Sequence, residues 1–82
     1  MLIGQIFEQK DILSYLESRQ LVTQYKKAKQ YLLQNRIITV KFKERNPKGS
    51  GIWQFRINRQ CRALCVFDNI GNLIVFEIDN HQ

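Results

Sequence analysis

The chain has 82 residues, 44% of them apolar, which is enough for one modest hydrophobic core and a single domain over residues 1–82. Thirteen Lys and Arg against seven Asp and Glu give a net charge of +6, which points to an anionic partner, either a polyanion or an acidic protein. No apolar run approaches the roughly 20 residues that cross a bilayer, and residues 1–7 lack the basic start and long apolar stretch of a signal peptide, so a soluble, cytoplasmic protein with no membrane partner is expected.

The charge is unevenly spread. Residues 1–18 carry Lys10 against Glu8, Asp11 and Glu17, and residues 63–82 carry Asp68, Glu77 and Asp79 with no Lys or Arg. The middle, residues 19–62, holds twelve bases and only Glu44, a local excess of +11.

In chain order, residues 1–7 suit a short strand, weakened by Gly4. Residues 11–35 contain no Gly or Pro. Within them Leu21, Tyr25, Ala28 and Leu32 recur at helical spacing, with Lys26, Lys27, Lys29 and Gln30 between them, which predicts an amphipathic helix. Ile12, Leu13 and Leu16 repeat the pattern upstream, and the polar residues 17–20 either separate two helices or form one exposed turn. Ile38, Val40 and Phe42 then alternate with Thr39, Lys41 and Lys43, the period of a half-buried strand or extended segment with a cationic outer face.

"ERNPKGSG" (residues 44–51) is a loop, marked by Asn46-Pro47 and two glycines. Trp53, Phe55 and Ile57 share one face of the next strand, and Gln54, Arg56 and Asn58 the other. Residues 58–60 make a tight connection, Cys61–Phe67 is a further strand, residues 68–72 turn around Gly71, and residues 73–79 form the last strand. The expected fold is therefore α+β, with one or two N-terminal helices packed on a small antiparallel sheet.

Cys61 and Cys65 fall on one face of a strand with no second pair to complete a metal site, so both are read as free core thiols. A three-residue connection at 58–60 sets Arg56 opposite Arg62. A hairpin turning about Ile70 and Gly71 brings Asp79 close to Arg62, with His81 two residues on. Like charges facing each other across a sheet are unfavourable, and a phosphate suits a pair of guanidinium groups. The plainer reading of the same geometry is an Arg62–Asp79 ion pair, a solvated Arg56 and a His81 in the tail.

Two strings carry a family resemblance. "WQFRINRQCRAL" (residues 53–64), followed by "LIVFEIDNHQ" (residues 73–82), resembles the RelE/ParE superfamily of bacterial type II toxins, in particular its HigB-like branch, where R-I-N-x-Q-x-R precedes a terminal strand ending D-x-H. Arg56, Ile57, Asn58, Gln60 and Arg62 stand in the first motif, and Asp79 and His81 in the second. The resemblance implies a RelE-like fold and a ribosome-dependent endoribonuclease that cuts messenger RNA without metal or other cofactor. It implies Arg62, Asp79 and His81 as catalytic residues, and Arg56, Lys41, Lys43 and Lys48 as contacts to phosphate or ribosomal RNA. The implied partners are the ribosome with its messenger RNA and a cognate acidic antitoxin, with DNA reached only indirectly through the antitoxin complex. The chain departs from that branch at Cys61 and Asn80, where an aromatic is usual. Other members of the superfamily imply two alternatives on the same fold: a ParE-like inhibitor of DNA gyrase, or a catalytically degenerate member that only binds its antitoxin.

Overall fold

A computed structural model describes residues 2–80. Strand β1 (Ile6–Glu8) leads into helices α1 (Ile12–Ser18) and α2 (Val22–Leu33), followed by β2 (Lys43–Glu44), β3 (Trp53–Arg56), β4 (Cys61–Phe67) and β5 (Leu73–Asn80). The strands form one sheet in the order β1-β5-β4-β3-β2. Neighbours are antiparallel except β1, which runs parallel to β5. The fold is α+β, two helices on one face of a five-stranded sheet, and no described helix is long and apolar enough to cross a membrane.

There are two helices, and the break falls where the polar stretch allows it. Gln20 adopts a left-handed φ of 59°, and the Leu21 N–H closes back on the Leu16 carbonyl at 2.8 Å. This six-to-one bond satisfies a helix-end carbonyl that would otherwise be orphaned. The same device ends α2, with Asn35 at φ 61° and the Arg36 N–H on the Tyr31 carbonyl at 2.8 Å. Asparagine tolerates this conformation better than most residues, because its short polar side chain can bond locally.

A third such closure replaces part of the strand expected after the helices. Residues 36–42 turn rather than extend: Phe42 N–H bonds the Ile37 carbonyl at 2.9 Å, and Lys41 has φ 52°. Of the three alternating apolar residues, Val40 is buried, Phe42 is half-buried, and Ile38 is 89% exposed. An alternating pattern only implies a strand if a neighbour offers hydrogen bonds along its length. Here β3 offers Val40 a single bond, Arg56 N–H to the Val40 carbonyl at 2.7 Å, before the pairing of β2 begins.

The core lies between helices and sheet. Ile12, Leu16, Leu21, Tyr25, Ala28 and Leu32 pack against Phe55, Ile57, Cys61, Ala63, Cys65, Leu73 and Val75. Successive strand side chains point to opposite faces, so Gln54, Arg56, Arg62 and Leu64 belong to the face without helices. Along β5 the alternation is interrupted by a bulge: Cys65 pairs with Val75, but Leu64 pairs with Glu77, leaving Phe76 as the extra residue. At the edge of β3, Trp53 stacks on Phe42 with centroids 5.0 Å apart, and Phe67 meets both rings edge-on.

One polar cluster fastens the helices to the sheet. The fully buried Tyr25 donates its hydroxyl to Glu8 Oε2 at 2.6 Å, and Lys29 reaches the same oxygen at 2.8 Å. Burial, with the Glu8 carboxylate adding to it, pushes the Tyr25 hydroxyl far above its ordinary range, so it remains a donor. Replacing Tyr25 by Phe leaves the ring packing and removes a charge-assisted bond. A loss of about 1–3 kcal/mol is expected, read as a lower urea midpoint at unchanged slope.

The turn between β4 and β5 is held by Asp68. Its carboxylate accepts the Ile70 and Asn72 N–H groups at 2.9 and 2.8 Å and the Asn72 side-chain amide at 3.0 Å. These bonds, the Asn72 backbone N–H foremost, hold its pKa below the ordinary aspartate value. A depressed folded pKa stabilises above the unfolded value of about 3.9 and is lost as pH falls through the folded one. The stability difference between wild type and Asp68→Asn is therefore expected to be greatest above about pH 4 and to shrink at lower pH in thermal melts.

Candidate functional site

The open sheet face carries the charges. Arg56 on β3, Arg62 on β4 and Asp79 on β5 are direct register partners, Arg56 with Arg62 and Arg62 with Asp79. All three are half-buried. Facing side chains at this position sit about 4.5–5.5 Å apart at Cβ. Like charges facing each other across a sheet are unfavourable.

Neither Arg56 nor Arg62 forms an ion pair with a carboxylate among the described residues. Arg56 Nε donates to the Asn58 carbonyl at 3.2 Å, folding its side chain back over the β3–β4 connection. The Arg62 side chain has no hydrogen-bond or ion-pair partner among the described residues, although its backbone is paired on both sides in the sheet. The ion pair expected between Arg62 and Asp79 is not formed. Asp79 Oδ2 instead meets Arg45 Nη1 at 3.5 Å, from the loop that follows β2.

Arg45 escaped the sequence reading because it lies in a loop string and matches no motif. Its backbone is pinned on both sides: its N–H bonds the Ile52 carbonyl at 2.7 Å, and its own carbonyl accepts the Ser50 hydroxyl at 3.1 Å. The loop is closed further by Gly51 N–H on Glu44 Oε2 at 3.0 Å, with Gly51 at φ 77°. An ion pair from this position to β5 spans β3 and β4. Gln54 and Leu64 lie beneath that span and are buried, although no helix covers this face.

The three lysines expected near the site are all exposed and separate into two places. Lys43 pairs with Gln54 and so shares the open face. With Arg45 and Lys48 it lines a cleft of about 690 Å³ at the β2–β3 edge, whose walls also include Glu44, Asn46, Trp53 and Gln54. Lys41 borders a different, apolar hollow with Ile37, Ile38 and Phe42. His81 lies outside the described residues.

Cys61 and Asn80, the two positions lacking an aromatic, are a register pair. Both are on the helix side of the sheet by alternation, away from the arginine row. Asn80 Oδ1 is buried without a hydrogen-bond partner among the described residues. Trp53 is engaged with Phe42 and Phe67, as a core aromatic would be. No three His, Cys, Asp or Glu side chains among the described residues converge as a metal-binding group. The chain matches no family model and no curated protein.

Both cysteines are buried and free. Burial pushes the Cys65 thiol up to about 12. Cys61 is also raised by burial, with Arg19 opposing and the Asp79 charge assisting. Nucleophilic sulfur requires the thiolate, so neither thiol is poised for chemistry. Reaction of the native protein with an aromatic disulfide reagent at neutral pH is expected to be about 100-fold or more slower than in urea; prompt labelling of one thiol would contradict the packing at β4.

Proposed function

We propose that this protein is a RelE-like toxin of the HigB-like kind, a metal-independent endoribonuclease that cuts messenger RNA on the ribosome and is silenced by an acidic antitoxin. The observation that carries the reading is Arg62: a half-buried guanidinium with no partner among the described residues, facing Arg56 on one strand and Asp79 on the other. An arrangement that keeps two like charges together and satisfies neither fully is suited to an external anion, and a phosphodiester accepts two planar guanidinium groups well.

The chemistry requires three things of the protein. The ribose 2′-oxygen loses its proton and attacks the adjacent phosphorus; the phosphorane carries added negative charge; and the 5′-oxygen leaves with a proton, giving a 2′,3′-cyclic phosphate and a 5′-hydroxyl. Arg62 serves the second need by binding the non-bridging oxygens, with Arg56 beside it. His81 is assigned the proton transfers, because an imidazole titrates near neutrality. That role rests on the D-x-H motif of the sequence. The departures at Cys61 and Asn80 fall on the opposite face from Arg62, so they leave the phosphate-binding row itself intact.

The antitoxin reading rests on charge. A segment rich in Asp and Glu would neutralise the basic middle of the chain and stabilise it by binding only the folded form.

Arg62→Ala and His81→Ala are each expected to abolish growth arrest on induction and to lower cleavage of ribosome-bound messenger RNA by about 100-fold or more, while circular dichroism remains that of wild type and melting is no lower. Full toxicity in both variants would overturn the nuclease reading. Arrest with intact messenger RNA and altered DNA supercoiling would assign the protein to gyrase inhibition instead.

A further inference from the structure

We propose that Arg45 is a third phosphate-binding residue of the Arg56–Arg62–Asp79 row, delivered from the β2–β3 loop and held over the sheet by Asp79 until RNA binds. The inference deepens the nuclease reading and rests on it for the identity of the ligand.

Three observations carry it. First, Arg45 reaches the row although it lies far from it in the sheet: Nη1 is 3.5 Å from Asp79 Oδ2, and Asp79 is the direct register partner of Arg62. One arginine from the loop thus joins a carboxylate whose strand neighbours in register are Arg62 and, beyond it, Arg56. Second, the contact is loose. A guanidinium has five N–H donors, a strong charge-assisted bond to a carboxylate is about 2.7–2.9 Å, and the Arg45 side chain is still 36% exposed. Donors remain for another acceptor. Third, the loop that carries Arg45 is built to aim it. Ser50 on its carbonyl, Ile52 on its N–H and the Glu44–Gly51 bond fix the backbone at its base. Little entropy is left to lose there when a ligand arrives.

The site formed would grip two points of an RNA backbone. Arg62 and Arg56 meet one phosphate, and Arg45, with Lys43 and Lys48 on the same cleft, meets a neighbouring one. Asp79 then acts as the holder of Arg45 in the free protein.

The test measures affinity for a fluorescein-labelled single-stranded oligoribonucleotide carrying 2′-O-methyl groups, which cannot be cleaved, by anisotropy over a series of salt concentrations. Arg45→Ala is expected to weaken binding about tenfold or more and to reduce the slope of log affinity against log salt by about 0.7, the loss of one single-strand phosphate contact. Arg45→Lys retains the charge and should retain the slope, and Arg59→Ala, on the exposed β3–β4 connection, should change it little. Asp79→Asn distinguishes a contact from a mere latch: a latch predicts the same loss as Arg45→Ala, whereas a contact predicts a slope no smaller than wild type. Thermal melting checks that each variant is folded, and Arg45→Gln replaces Arg45→Ala if the latter is not. An unchanged slope in Arg45→Ala, with binding weakened in Arg62→Ala, overturns this inference alone. If Arg62→Ala binds as tightly as wild type, or wild type does not bind, the reading of the site as an RNA-binding row falls with it.

Discussion

The pairing of β4 with β5 is the constraint on which the rest of this molecule depends. β4 is the strand that both layers share: Cys61, Ala63 and Cys65 face the helices, and Arg62 and Leu64 face away. From the turn at residues 68–72 the hairpin starts with Phe67 opposite Leu73. Continued without interruption, that register would set Ile78 across from Arg62 and leave an aliphatic side chain beside a guanidinium. The bulge at Phe76 advances β5 by one residue, so that Ile78 turns towards the core opposite Ala63 and Asp79 comes opposite Arg62. A one-residue slip reverses every side chain's face, and here one bulge corrects both faces at once.

The helices are what allow the other face to be polar. Their apolar stripe covers one side of the sheet, fastened through Tyr25 and Lys29 to Glu8 on β1. Because β1 lies next to β5, this cluster ties the helix layer to the same strand that carries Asp79. No described helix packs on the open face. Among the described residues the β2–β3 loop reaches across it, and the side chain that crosses is charged rather than apolar. Desolvation on this face is therefore partial, with Arg56, Arg62 and Asp79 all half-buried.

The arginine row sets two like charges opposite each other on neighbouring strands. Facing guanidinium groups are unfavourable on a sheet, and a buried aliphatic pair at the same positions would hold the strands together better. Local rules are broken in native proteins mainly where a site demands it. The thiols of β4 show the contrast: they are buried, protonated and packed, and they serve the core. On one strand, alternate residues thus answer to two different requirements.

The sequence by itself determined much of this. Helical spacing in residues 11–35, the turn chemistry of residues 44–51 and 68–72, and the alternation of the last strands are local properties, and each element formed where its pattern required. The Arg56–Arg62 pair was also legible, because a hairpin's register follows from its connection; Arg62–Asp79 was expected from a turn about Ile70 and Gly71, but in the fold it is the bulge at Phe76 that makes the pair. The turn at residues 36–42 was not, since Ile38, Val40 and Phe42 alternate like a strand and only the shortness of β2 denies them partners. Nor was the parallel pairing of β1 with β5, which joins the two ends of the described chain. Arg45 is the sharpest case: no local pattern relates a loop arginine to a carboxylate on β5. Their meeting depends on the strand order, on the bulge that presents Asp79 and on the loop that aims Arg45, and contacts distant in sequence are fixed only when all three exist together.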